Sequence, residues 1–304
     1  MQITRALRRH VASWELLDRT DGCPVCGATR RRGRVFQLQA NPDVFMLSCP
    51  ICRACSASHM PSPAVLDDYY AHYYDDREQA VTFSGATRFA RHVLKTIPGN
   101  AFGSSVSILD YGGGDGSLAR AIAERLIAAR RIESADIRVV DVARHAYAGG
   151  DRITMSYGSP SEPMVRRYDL VLASAILEHV PALQPLLVVL RDSVAADGFF
   201  YARTPYAIPL TRLLPGLDLT YPAHVHDLGA PFWDRFTETF SWPARVIASR
   251  PSLVAARLRD APLRAFAATL MKLPSRIEGV LSPFRGSRRL WHLVGGWEVL
   301  MQRR

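Results

Sequence analysis

Asp110 and the glycines just after it are the residues of this chain best suited to hold a ligand by its polar groups. They stand in Val106-Ser-Ile-Leu-Asp110-Tyr-Gly112-Gly113-Gly114-Asp-Gly116-Ser-Leu-Ala-Arg-Ala-Ile122, where a short apolar run meets a glycine-packed turn. Glycine accepts the backbone angles that a direct strand-to-helix reversal needs, and it lets a bound molecule touch bare main chain. Many nucleotide sites use that device, and the spacing is a near miss for the dinucleotide fingerprint. Asp141 closes a second apolar run, Ile137-Arg-Val-Val-Asp141, and lies 25 residues past Gly116. An acid so placed can accept hydrogen bonds from both hydroxyls of a ribose.

The five cysteines offer a different chemistry. They occur as Cys23-Pro-Val-Cys26 and Cys49-Pro-Ile-Cys52-Arg-Ala-Cys55. Two Cys-x-x-Cys knuckles separated by a β-like stretch (Val35 to Leu38, Val44 to Leu47) can set four thiolates round one zinc ion, and geometry allows either Cys49 or Cys52 a place among them. Disulfides are the competing reading, but five thiols leave one over and a reducing compartment opposes them. A zinc closed by four thiolates has no position open to water, so its role would be structural.

These groups must be held by a scaffold whose outline is readable. The run before Gly112 is a strand, and Leu118, Ile122 and Leu126 mark one face of the helix that follows. Ile153 to Tyr157 reads as a third strand, and Tyr168-Asp-Leu-Val-Leu-Ala-Ser174 as a fourth, apolar on both faces as parallel strands are. A helix with Leu186, Leu187 and Leu190 and a fifth strand, Phe199 to Arg203, come next. Strand alternating with helix across roughly 100 residues is the pattern of a doubly wound α/β sheet. Ligands of such sheets sit at the carboxyl ends of the strands, the edge to which Gly112 to Gly116, Asp141 and Ser174 to His179 all map.

Asp110-x-Gly112-x-Gly114-x-Gly116 resembles motif I of class I S-adenosylmethionine-dependent methyltransferases, and Ala175-Ile-Leu-Glu178-His179-Val180-Pro181 resembles the segment of that family ending in Glu-His-Val or Glu-His-Leu. The resemblance implies a Rossmann-like, mostly parallel seven-stranded sheet, with the methionine end and ribose of S-adenosyl-L-methionine on the loop. It implies Asp110, Gly112, Gly113, Gly114, Gly116, Asp141 and Ser174 as cofactor contacts. Methyl transfer from a sulfonium is an in-line displacement that needs positioning, plus a base where the acceptor is a hydroxyl. His179 is the first candidate for that base, with His224 and His226 next. The chain departs from the family at Tyr157-Gly158-Ser159, which lacks an acid for the adenine amino group. It departs again at Ala175, where metal-binding relatives carry a glutamate, so no catalytic metal is expected.

The stretch from Cys52 through Pro61 and Pro63 to Tyr69, Tyr70, Tyr73 and Tyr74 resembles the zinc-ribbon leader ahead of many bacterial methyltransferase domains. That likeness favours Cys23, Cys26, Cys52 and Cys55 as zinc ligands, and it allows some of the tyrosines to roof the cofactor. The expected organisation is a zinc-binding module over residues 1–63, opened by a short amphipathic helix with Leu7, Val11, Trp14, Leu16 and Leu17. A methyltransferase domain over 64–304 follows, with insertions at about 206–231 and 252–290, the latter divided by Pro262, Pro274 and Pro283.

Composition sets the outer bounds. At 304 residues and 48% apolar content the chain can bury a large core. No apolar run reaches the roughly 18 to 20 residues of a membrane span, which leads us to expect a cytoplasmic protein. The net charge is +10, carried almost entirely by arginine, with only Lys95 and Lys272 as lysines. Such a balance permits anionic substrates, nucleic acid or peripheral contact with an anionic membrane. The leading expectation is methylation of a small-molecule acceptor, whether a sugar, a lipid-linked glycan or a secondary metabolite. Nucleic-acid methylation is the alternative, disfavoured because Ala173-Ser-Ala-Ile176 lacks the Asn/Asp-Pro-Pro-aromatic turn of enzymes that methylate base amines. A non-catalytic cofactor-binding homologue is the third reading.

Overall fold

The computed structural model describes residues 10–19, 22–73, 85–142, 150–211, 213, 221–253, 262–285 and 290–304. Seven strands form the main sheet: β4 (Ser105–Tyr111), β5 (Ser134–Val140), β6 (Ile153–Gly158), β7 (Tyr168–Ser174), β8 (Val194–Tyr206), β10 (Ala244–Pro251) and β11 (Gly295–Arg303). Their order across the sheet is β6-β5-β4-β7-β8-β11-β10. β4 pairs in parallel with β5 and β7, as do β5 with β6 and β7 with β8, while β11 runs antiparallel to β8 and β10. This is the mostly parallel seven-stranded sheet of the class I methyltransferase fold, and the chain changes direction of winding between β4 and β7.

The strands are apolar on both faces because helices cover both. Alternate residues separate into two cores: Ile108, Leu170, Leu172, Phe199 and Tyr201 face one side, Leu109, Val171, Ala173 and Phe200 the other. The first face is packed by α2 (Ala86–Leu94) and α3 (Ser117–Ala128), the second by α4 (Leu183–Asp192), α6 (Ala230–Thr239) and the cysteine knuckles. Phe232, Trp233 and Phe236 are fully buried at the centre of the second core, where aromatic rings meet edge-on and stacked. A buried polar knot fixes α2: Glu298 on β11 meets His92 at 2.5 Å, Arg250 at 2.6 Å and the Tyr201 hydroxyl at 3.2 Å. Burial alone would raise the Glu298 carboxyl pKa, but His92 and Arg250 outweigh it and hold it low.

A second, four-stranded antiparallel sheet has the order β1-β2-β3-β9, with β1 at Gly33–Gln39, β2 at Val44–Ser48, β3 at Cys55–Ala57 and β9 at His226–Asp227. Its last strand comes from the stretch expected as an insertion. There, α5 (Ile208–Thr211) also begins, and Asp227 accepts the backbone N–H groups of Ala207 at 2.6 Å and Ile208 at 3.3 Å. Next in sequence to β3 comes α1 (Pro63–Tyr73), whose Val65 packs with Val44 and Ala57 of the small sheet. Tyr69 is buried, whereas the side chains of Tyr70 and Tyr73 and all of Tyr74 lie outside the described residues.

Two expectations are corrected. Residues 10–19 are not a helix: one 3-10 turn at Ser13–Glu15 interrupts extended chain, and Leu16 bridges to Pro61. The Gln39 side chain takes both the N–H and the carbonyl of Val11, holding that backbone to β1 instead; Leu7 lies outside the described residues. The second correction concerns 252–290, where one 24-residue helix, α7 (Pro262–Arg285), runs through Pro274 and Pro283. An interior proline costs a helix about 3 kcal/mol, so tertiary contacts must hold this one together.

Candidate functional site

Gly112 closes β4 with φ at +67°, and a Cβ there would overlap the Ile176 side chain that packs over it. The residue type is therefore set by close approach as well as by backbone angle. The loop turns into α3 beneath Gly113, whose own Cβ would meet Asp110 Cγ at 2.5 Å. Asp110 is 1% exposed, and its carboxylate reaches the backbone N–H of Ala119 in the first turn of α3. Burial pushes its pKa up to about 7, against that hydrogen bond and with the help of the nearby Asp141 and Asp115 charges. Its Oδ2 atom has no partner among the described residues. A buried acceptor left open at a helix N-terminus is costly unless a ligand or water supplies a donor.

Asp141 stands beside the same loop at the end of β5. Gly114 donates its N–H to Asp141 Oδ2 at 2.8 Å, which ties the carboxylate to the loop. Thus Asp110, Gly112, Gly113, Gly114, Gly116 and Asp141 are assembled at the carboxyl edge where the sheet reverses its winding, the position at which such sheets bind ligands. Ser174 lies on that edge too, its Oγ accepting from Arg203 Nε at 3.2 Å. Where an adenine acid was missing from sequence, Glu162 accepts the Ser159 N–H at 3.1 Å and pairs with Arg138.

The edge beyond β7 holds a compact titratable group. The 3-10 turn Leu177–His179 presents Glu178 and His179, and residues 223–226 are tied alongside by three bonds. His179 Nδ1 donates to the Ala223 carbonyl at 2.9 Å, Val225 N–H to the Glu178 carbonyl at 2.9 Å, and His226 Nε2 to the Val180 carbonyl at 2.9 Å. The first bond fixes the His179 tautomer with its lone pair on Nε2, which lies 4.0 Å from Glu178 Oε1. His224 packs edge-on against His179, ring centres 4.7 Å apart, and the ligand atoms of Glu178, His179 and His224 all fall within 4.8 Å of one another. Burial raises the Glu178 pKa to about 7, with Arg203 opposing, and lowers that of His179 to about 4. His179 is thus neutral at physiological pH.

Arg203 and Glu178 received no role from sequence. Arg203 pairs in register with Ser174, and its guanidinium lies 4.6 Å over the Phe89 ring. A lone cation ending the otherwise apolar Phe199-Phe-Tyr-Ala-Arg203 was the signal available.

His226 is not part of this group, contrary to expectation. It is 1% exposed and both ring nitrogens are engaged, Nδ1 with Ser56 Oγ at 2.9 Å and Nε2 with the Val180 carbonyl. The ring ties β3 to the turn after β7 and cannot take a proton from a substrate. Burial, aided by Arg32 and His179, brings its pKa down to about 4. An unfolded histidine titrates near about 6.5, so below that pH the unfolded chain takes up a proton that the native ring refuses. The resulting stability is present above pH 6.5 and lost as pH falls toward 4. Denaturant unfolding of wild type and His226→Gln should therefore differ by about 2 kcal/mol less at pH 5 than at pH 7; parallel pH curves for the two would show that the ring is not held neutral.

The cysteines form the other assembled centre. Cys23, Cys26, Cys49 and Cys52 lie with all four sulfurs within 4.8 Å of one another. Cys23 Sγ is 3.7 Å from Cys52 Sγ and Cys26 Sγ 3.8 Å from Cys49 Sγ, too long for a disulfide. Zinc–sulfur bonds of about 2.3 Å at tetrahedral angles give sulfur–sulfur edges of about 3.8 Å, which these distances match. The knuckles repeat each other bond for bond. Cys23 N–H donates to the Ala28 carbonyl and Gly27 N–H to that of Cys23, just as Cys49 N–H donates to Ala54 and Arg53 N–H to Cys49. Gly27 and Arg53 share left-handed φ values of 73° and 64°.

Cys55, expected as a ligand, is replaced in the group by Cys49. It lies beyond the second knuckle on β3, paired with Ser48 and Asp227, in a small core with Met46, Ala207 and Ile208. Burial, with the Asp227 charge, pushes its pKa up to about 12, so it stays a thiol.

Sheet order, loop and edge acids together define a methyltransferase domain, and a family of that description matches residues 82–239, just over half of the chain. The chain belongs to that family. Among curated proteins, ribosomal protein L11 methyltransferase of Thiobacillus denitrificans is 33% identical over 106 residues, a match that spans about a third (34%) of each protein. Among solved structures, magnesium protoporphyrin IX methyltransferase from Synechocystis PCC 6803 with bound SAH is similar at 13% identity and a TM-score of 0.44, covering 80% of this chain and 95% of that one. The plantazolicin methyltransferase in complex with a desmethyl analogue and SAH gives 13% identity and 0.44 over 77% and 93% of the two chains.

Proposed function

We propose that the protein is an S-adenosylmethionine-dependent methyltransferase acting on a hydroxyl of a small-molecule acceptor, such as a sugar, a lipid-linked glycan or a secondary metabolite, with a structural zinc in its N-terminal module. The observation that carries the cofactor reading is the open Oδ2 of buried Asp110 under a glycine loop whose Gly114 N–H is bonded to Asp141. Asp141 would accept from the ribose hydroxyls, Asp110 would balance charge at the methionine end, and Gly112 to Gly116 would give the nucleoside a bare surface. The cofactor supplies a methyl group already activated by a sulfonium.

The chain's own part is then to orient an acceptor at the β7–β8 edge and to receive its proton. The bond to Ala223 sets the His179 tautomer with Nε2 as the basic nitrogen, and Glu178 lies close enough to stabilise the imidazolium that results. Arg203 offers the acceptor a fixed cation. With its low pKa, His179 is in the base form over the whole neutral range.

Turnover with labelled cofactor tests this. His179→Ala should lower kcat by roughly 10² to 10⁴ and leave cofactor affinity nearly unchanged, since general-base catalysis is worth about that factor. The wild-type rate should fall only as pH drops toward 4, where the ring protonates. Cofactor affinity falling in step with activity would make the residue structural instead.

A further inference from the structure

We infer that the outward face of α7 docks the protein onto an anionic membrane surface. Most surface helices turn their apolar stripe inward, yet α7 does the reverse. Leu263, Phe266, Leu270, Leu273, Ile277 and Val280 recur at alternating steps of three and four, and they are 46 to 83% exposed. The stripe extends about 26 Å at 1.5 Å per residue.

The helix is not free to roll and hide it. Its inner face carries Ala265, Lys272 and Ser275, all buried. Lys272 Nζ donates to the Ser252 carbonyl at 2.8 Å, Trp291 Nε1 donates to the Met271 carbonyl at 2.8 Å, and Glu278 accepts the N–H groups of Leu290 and Trp291. Polar bonds face the body and hydrocarbon faces out. Exposed apolar surface of this extent on a soluble domain marks an interaction site.

Charge selects the occupant. In sequence, residues 254–290 contain eight basic residues (Arg257, Arg259, Arg264, Lys272, Arg276, Arg285, Arg288, Arg289) and two acids (Asp260, Glu278), a net +6 of the chain's +10; Lys272 is taken up on the inner face, and Arg276 is exposed on the helix. Pairing this face with a second copy would bring two such segments together, whereas anionic headgroups attract it. An apolar stripe in a cationic segment is the make-up of a helix that lies in the plane of a bilayer interface. The helix does not cross one: no helix among the described residues is long and apolar enough to do so. The inference does not depend on the acceptor.

Co-sedimentation of the full chain with vesicles tests it. The protein should pellet with vesicles of equal parts phosphatidylglycerol and phosphatidylcholine, weakly with phosphatidylcholine alone, and less as salt is raised. Exchanging Leu270, Leu273 and Ile277 together for serine should weaken binding by more than about tenfold with an unchanged melting transition, because interfacial affinity follows buried apolar area. Arg276→Glu should weaken it less, and only toward the anionic vesicles. Absence of binding, or equal binding by the serine variant, would overturn the inference. So would a dimer in light scattering that the serine substitutions convert to monomer, since the face would then belong to a second copy.

Discussion

Gly114→Arg is expected to abolish binding of S-adenosylmethionine, weakening it by more than about 100-fold, or about 3 kcal/mol. Gly114 has φ at +57°, where a side chain adds strain, and its N–H is the bond that holds Asp141 against the loop. An arginine would also fill the space that the nucleoside needs and set a cation beside the two acids. The fold should survive, because β4 is anchored by cores on both faces of the sheet and α3 by the first of them. Calorimetry against Gly99→Ala makes the comparison, since a Cβ at Gly99 meets nothing within 4 Å. Wild-type affinity in the Gly114 variant would place the cofactor elsewhere.

The second large effect separates the cysteines. The proposed zinc should be lost from Cys49→Ser, with unfolding of the N-terminal module, and kept at a full equivalent by Cys55→Ser. Structural zinc in small domains contributes on the order of 10 kcal/mol, far beyond the 0.5 to 3 kcal/mol typical of a point substitution. The loss would reach the main domain, because Cys23, Val25, Cys49 and Cys52 are part of the same core as Leu183 and Leu187 of α4. Metal analysis of protein purified without chelator, together with melting curves, decides it. Zinc lost from Cys55→Ser and kept by Cys49→Ser would reverse the ligand assignment.

That assignment could have been read from the chain. Cys-Pro-Val-Cys and Cys-Pro-Ile-Cys differ by one methylene, and their identical hydrogen bonds show that the repetition encodes two copies of one turn. The likeness to a family leader drew attention to Cys55 instead. The main sheet was legible for a physical reason: strands buried on both faces must be continuously apolar, and a strand-to-helix reversal over a ligand must be glycine-rich. Asp110, the glycine loop and Asp141 stand where those local demands place them, at the ends of β4 and β5.

What only the tertiary structure decided depends on partners far away in sequence. His224 and His226 look equivalent in the chain, but Ser56, 170 residues before His226, and Val180 occupy both nitrogens of one, while the other packs edge-on against His179. The two residues of β9 have no strand pattern of their own; they pair because the edge of β3 has unpaired backbone groups to satisfy. Prolines at 274 and 283 argue locally for broken helices, and contacts from Ser252 and Trp291 hold one helix through them. Local chemistry wrote the glycine loop and the knuckles, whereas the cluster of Glu178, His179 and His224 exists only where distant segments are brought together.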